Sequence, residues 1–153
     1  MFFLVSCSAG GTTPEPEELQ LVFRAKAEIM DSSGTYTCAV ERSGPSLFTL
    51  EITAPDNYAG IRYIWSGEGF SMEYAGLSAS SAECALPQSA FALVTKDLLD
   101  AAAMEGALTV SGAELSGDLE EKQFFLSADD TGRIQQIRVP DIGYTAVFSE
   151  IQT

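Results

Sequence analysis

At 153 residues and 46% hydrophobic content, the chain is long enough to fold as one globular domain around a core of its own. Its 22 acidic residues against 8 basic ones leave a net charge of -14, a surface that repels nucleic-acid backbones and gains nothing from an anionic bilayer. It has no histidine, so no Ser–His or Cys–His pair and no histidine metal ligand exist; calcium-loop, phosphate-loop and nucleophile-elbow motifs are missing too, and neither an enzyme nor a cofactor or metal site is expected.

The first informative stretch is Leu4-Val5-Ser6-Cys7, followed over residues 8–18 by small, polar, proline-containing and acidic residues that cannot bury apolar surface. A buried strand over residues 2–5 with Cys7 in the core would run straight into that polar segment. The aliphatic pair, the small residue and the cysteine resemble the lipobox of bacterial lipoproteins. That resemblance implies that Cys7, whose thiolate is the nucleophile, carries a diacylglyceryl thioether. Residues 1–6 are then a signal-peptide remnant, residues 7–18 a flexible tether and residues 19–153 a single folded domain. The implied location is extracytoplasmic, lipid-anchored to the bacterial cell membrane.

Beyond the tether, apolar and polar residues alternate with period two between turn residues, the pattern of an antiparallel meander. Phe23, Ala25, Ala27 and Ile29 precede the turn Asp31-Ser32-Ser33-Gly34. Tyr36, Cys38 and Val40 form the next strand, and Phe48, Leu50 and Ile52 the third. Ile61, Tyr63 and Trp65 then pair across Ser66-Gly67-Glu68-Gly69 with Phe70, Met72 and Tyr74, a hairpin with an aromatic face. Residues 88–104 behave differently. Phe91, Val94, Leu98, Ala101 and Ala102 recur at helical spacing, Pro87 stands ahead and Gly106 behind. Further strands are expected at residues 108–110, 123–127, 133–139 and 142–148, with a bulge where the alternation slips in Ile134-Gln135-Gln136-Ile137.

This order of strands, helix and closing pair resembles the lipoprotein-carrier superfamily of LolA, LolB and LppX, more narrowly the small LolA-like lipoproteins of Firmicutes, over residues 19–150. An α+β fold follows. The resemblance implies a strongly curved antiparallel sheet, a half-barrel, whose apolar concave face is covered by one main helix. No family residue of catalytic or binding role can be carried onto this sequence.

Two features have open alternatives. Phe48, Leu50, Ile52, Ile61, Tyr63, Trp65, Phe70, Met72 and Tyr74 are either core packed beneath the helix or a ligand groove; Tyr63, Trp65 and Tyr74 suit a cavity mouth because each joins an apolar ring to a polar tip. Cys38 and Cys84 are either a disulfide, as an exported protein permits, or two buried thiols. The expected function is a membrane-anchored lipoprotein that binds or shields a lipid or acyl chain in the groove. The alternative is a non-catalytic envelope or spore assembly module, filled by its own side chains, that contacts an envelope protein.

Overall fold

The computed structural model describes residues 13–88 and 90–153. Leu4 to Cys7, and with them the expected lipid attachment, lie outside the described residues.

Eleven strands form one antiparallel sheet. β1 (Phe23–Asp31), β2 (Gly34–Gly44), β3 (Leu47–Ala54), β4 (Arg62–Ser66), β5 (Gly69–Tyr74) and β6 (Leu77–Ser81) run outward as a meander. Helix α1 (Phe91–Ala103) crosses back, and β7 (Thr109–Ser111), β8 (Glu114–Leu119), β9 (Lys122–Ala128), β10 (Ile134–Val139) and β11 (Tyr144–Gln152) form a second meander that ends beside β1. The spatial order β6-β5-β4-β3-β2-β1-β11-β10-β9-β8-β7 is linear, so the sheet is not closed into a barrel.

The alternation seen in the sequence becomes continuous ribs across one face. Phe23, Arg42, Phe48, Trp65 and Phe70 stand in register on successive strands; Ala25, Val40, Leu50, Tyr63 and Met72 form the next rib. From Ile29 of β1 the same face continues onto the other meander through Ala146, Ile137, Leu126 and Leu115. Helix α1 covers this face with Ala92, Val94, Leu98, Leu99 and Ala102. The opposite face carries the polar residues, with cross-strand pairs Arg24–Glu41 and Arg62–Glu73. A bulge breaks the β9–β10 register between Ile134 and Gln136, where the alternation slips. A second bulge opposite Lys26, with Glu150 at φ 53°, bends β11 near its end.

Three details depart from the expected layout. The helix begins at Phe91, because the Pro87 carbonyl first closes a turn onto the Ala90 amide. Strands β6 and β8 are not among the expected strands: Leu77-Ser78-Ala79-Ser80-Ser81 holds only small residues after Leu77, and β8 is short and interrupted by Gly117. Residues 13–18, counted with the tether, are docked. The Thr13 hydroxyl donates to the Gly112 carbonyl at 2.9 Å, Pro14 is buried, and Pro16–Glu18 form a 3-10 turn boxed by the Glu15 and Glu18 side chains. The Glu18 carbonyl lies so close to Gly132, at φ 83°, that a Cβ there would stand 2.0 Å from it; only glycine fits.

One ion pair fixes α1 to the sheet. Arg42 occupies an apolar-face position and is 3% exposed. Its Nη2 donates to Asp100 of the helix at 2.9 Å and its Nη1 to the Leu21 carbonyl at 2.8 Å. Asp100 also accepts the Ser46 amide at 3.1 Å and meets Lys96 Nζ at 3.3 Å. Removing one partner of a buried pair leaves the other charge unpaired. Asp100→Ala should therefore cost about 3 kcal/mol, read in urea titrations through Trp65, the single tryptophan; a loss under about 0.5 kcal/mol would place the anchor of the helix elsewhere.

Among the described residues Cys38 and Cys84 stand as free thiols. Cys38 faces inward from mid-β2 between Ala27 and Ile52, while Cys84 lies in the loop ahead of α1. Burial pushes the Cys38 thiol up to about 12. With Cys7 replaced by serine, a thiol reagent at about pH 8, a little below the free-cysteine pKa, should label Cys84 and leave Cys38 unmodified until guanidinium is added. Two silent thiols in guanidinium without reductant would instead reveal a disulfide.

Candidate functional site

Six residues of the aromatic and aliphatic stripe come together on the two ribs of the first meander, Phe48, Trp65 and Phe70 on one and Leu50, Tyr63 and Met72 on the other, while Ile52, Ile61 and Tyr74 lie beyond them. Phe48, Leu50, Ile52, Trp65 and Phe70 are buried in the core, and Ile61, Tyr63 and Met72 are partly buried against it. Rings fill the space between them: Trp65 lies 5.9 Å from Phe48 and 5.1 Å from Phe70, centroid to centroid. Burial raises the Tyr63 phenol pKa, with Cys38 and Tyr36 adding to it. Tyr74, 46% exposed, stands at the margin opposite Leu77. None of the nine lines the cavity beneath α1 described next.

That cavity, of about 510 Å³, opens at the end of the apolar face where the β1–β2, β8–β9 and β10–β11 turns meet the first half of α1. Its volume falls within the ~300–1,000 Å³ typical of small-molecule sites. Val94 of the helix, Leu119 from the β8–β9 hairpin, and Val139, Ile142 and Tyr144 from the β10–β11 corner give it an apolar floor. Asp31, Ser32, Gln88, Asp97, Glu120 and Lys122 surround the opening.

The local sequence explains each wall. Asp31 closes the β1–β2 turn by accepting the Ser33 amide at 2.8 Å, an Asx turn that holds the hairpin tip beside the opening. Glu120 and Glu121 are left-handed, at φ 49° and 66°, and this two-residue turn swings Leu119 and Lys122 toward the helix. Pro140–Ile142 form a 3-10 turn that ends at left-handed Gly143 and brings Ile142 under α1.

Tyr144 is the polar element of the floor. Its hydroxyl lies 2.6 Å from the Thr95 hydroxyl, which gives its own proton to the Phe91 carbonyl at 2.7 Å, so Tyr144 donates. Burial raises the phenol pKa further than that hydrogen bond lowers it. The floor therefore presents an aromatic ring with a satisfied hydroxyl, and no unpaired polar group faces a ligand from it. Outside the lining, Lys96 reaches Asp97 of the rim at 3.2 Å; burial disfavours its ammonium, but Asp97 and Asp100 outweigh that and raise its pKa.

A second cavity of the same size lies on the polar face, a crater over Ala39 ringed by Arg24, Lys26, Arg62, Glu41, Glu51 and Glu150. Its charges balance and its floor is strand backbone. Nothing in it selects an apolar ligand. Among the described residues no three His, Cys, Asp or Glu groups are placed to hold a metal ion, and no helix is long and apolar enough to cross a membrane.

The sequence signalled the stripe through strong period-two alternation. The cavity residues carried no such signal, because they come from three hairpin ends and one helix, each contributing one or two positions. The cluster Leu119-Glu120-Glu121-Lys122, read as a turn flanked by an aliphatic residue, was the available hint.

No family model matches the sequence, and no curated protein is similar to it. Among solved structures, the chain is similar to the crystal structure of a DUF1329 family protein from Desulfovibrio piger, with 11% identity over 85% of this chain and 84% of that one and a TM-score of 0.34.

Proposed function

We propose that the protein is an extracytoplasmic lipoprotein, anchored to the bacterial cell membrane through Cys7, that binds or shields the apolar part of a lipid or acyl chain in the cavity beneath α1. The observation that carries the reading is the aliphatic floor of a roughly 510 Å³ space bounded by charged and polar groups at one end. An amphiphile matches both parts. The large open antiparallel sheet with one helix on its apolar face fits the LolA-like half-barrel that the sequence resembles.

Energetics set the expected affinity. Ten buried methylenes supply about 8 kcal/mol at ~0.8 kcal/mol each. Lost translational and rotational freedom takes back at least about 4 kcal/mol. A chain of that length then binds only in the millimolar range, and each added methylene tightens it about fourfold.

A different observation favours the second reading, an assembly module. The aromatic ribs are filled by their own side chains, and β6 is an uncharged outer strand whose five residues are all exposed, Leu77 at 75%. Uncharged edges invite pairing with another chain.

The uncharged dye 1-N-phenylnaphthylamine separates the two. It should brighten on binding and be displaced by long-chain amphiphiles, and the double variant Leu119→Trp/Ile142→Trp, which fills the cavity from partly exposed positions, should weaken binding at least about tenfold with little change in thermal unfolding. Dye binding unaffected by the double variant would sink the cavity reading and leave the assembly module. The anchor has its own check. Produced behind a complete secretion signal, the chain should fractionate with membranes, and Cys7→Ala should release it; a membrane-bound Cys7→Ala protein would refute the anchor.

A further inference from the structure

The opening of the cavity beneath α1 is net negative. Asp31, Asp97 and Glu120 line it, and Lys122 is the one cation among its lining residues. These carboxylates come from the β1–β2 turn, the helix and the β8–β9 turn, so three separate elements converge on the same polarity. Lys96 offsets Asp97 in part, at 3.2 Å. The surroundings add to the field: the chain as a whole carries -14.

Charge at the opening selects what an amphiphile may place there. An anionic head is repelled by the three carboxylates, the more so at low ionic strength where their charges are least screened. A compact metal cation gains little, since the described residues offer no converging set of three ligands. A bulky alkylammonium differs from both. It is weakly hydrated, spreads its charge over several carbons, and gains from separated carboxylates without needing a coordination shell. Ser32 and Gln88, also at the opening, can accept hydrogen bonds from a primary ammonium.

We propose that the cavity selects amphiphiles with an ammonium head and discriminates against sulfate, phosphate and carboxylate heads. The inference rests on the apolar-ligand reading of the same cavity and adds the head-group chemistry. The apolar chain lies along Val94, Leu119 and Ile142, and the ammonium sits among Asp31, Asp97 and Glu120.

The test is displacement of 1-N-phenylnaphthylamine from the full chain by decyltrimethylammonium and by decyl sulfate, both below their micelle concentrations. At low salt the cation should displace the dye at about tenfold lower concentration than the anion, and the ratio should fall toward one near 0.5 M NaCl. Because any acidic protein attracts cations, two variants of equal net charge supply the contrast. Asp31→Asn/Asp97→Asn/Glu120→Gln should abolish the ratio, whereas Glu17→Gln/Glu83→Gln/Glu105→Gln, away from the cavity lining, should keep it. Equal displacement by both probes, or identical behaviour of the two triple variants, would overturn the head-group selectivity while leaving apolar binding intact. A wild-type protein that takes up no dye would overturn the apolar-ligand reading itself, and the selectivity with it.

Discussion

The pairing of β1 with β11 is the constraint on which the rest of the molecule depends. Each meander taken alone is a sheet with two open edges; joining their innermost strands gives eleven strands with only β6 and β7 outermost. The ladder runs from Arg24–Gln152 to Met30–Thr145, nearly the whole of both strands. It brings Ile29 against Ala146 and so carries the apolar ribs of one half into the other. A helix can cover the face only because that face is continuous. Since these contacts link the start of the domain to its end, they are formed against the largest loop-closure entropy in the fold.

The helix is then placed by polar groups on an otherwise apolar face. At its start, Phe91 stacks on Tyr36 at 4.3 Å, and one turn on, Thr95 meets Tyr144. Near its end, Asp100 meets Arg42. Apolar contacts alone permit a helix to slide or rotate on a sheet. Two hydrogen-bonded attachments, one on β11 and one on β2, fix both its position and its direction. The arrangement is not fully compensated: among the described residues, Arg42 Nε and Trp65 Nε1 find no hydrogen-bond partner though buried. Each such group costs about 1–3 kcal/mol, a strain that the surrounding aromatic packing must offset.

Fixing the helix also leaves space unfilled. The first meander places Phe48, Trp65, Phe70 and other large side chains on its apolar face, and there the core is solid. The second meander buries large rings as well, Phe124, Tyr144 and Phe148, with Gly117 directly against the Phe124 ring, but its hairpin ends carry charge. The cavity opens on that side. The space lies where the packed ribs give way to three hairpin ends and the first half of α1.

The sequence by itself determined much of the secondary structure. Strict alternation in 23–29, 36–40, 48–52 and 61–74, helical spacing from Phe91, and the slip at Ile134-Gln135-Gln136-Ile137 all reflect local periodicity, which each segment carries without its neighbours. The stripe Phe48 to Tyr74 was legible as a set for the same reason. Strands β6 and β8 were not, because Leu77-Ser78-Ala79-Ser80-Ser81 and the stretch around Gly117 owe their extended form to pairing partners. Nor was the role of Asp100, since nothing local distinguishes a solvated carboxylate from one facing a buried guanidinium. What only the tertiary structure decided is which apolar residues are spent on the core and which border open space. That outcome depends on volumes contributed by segments as far apart in the chain as Asp31 and Tyr144, and no periodicity within one segment encodes it.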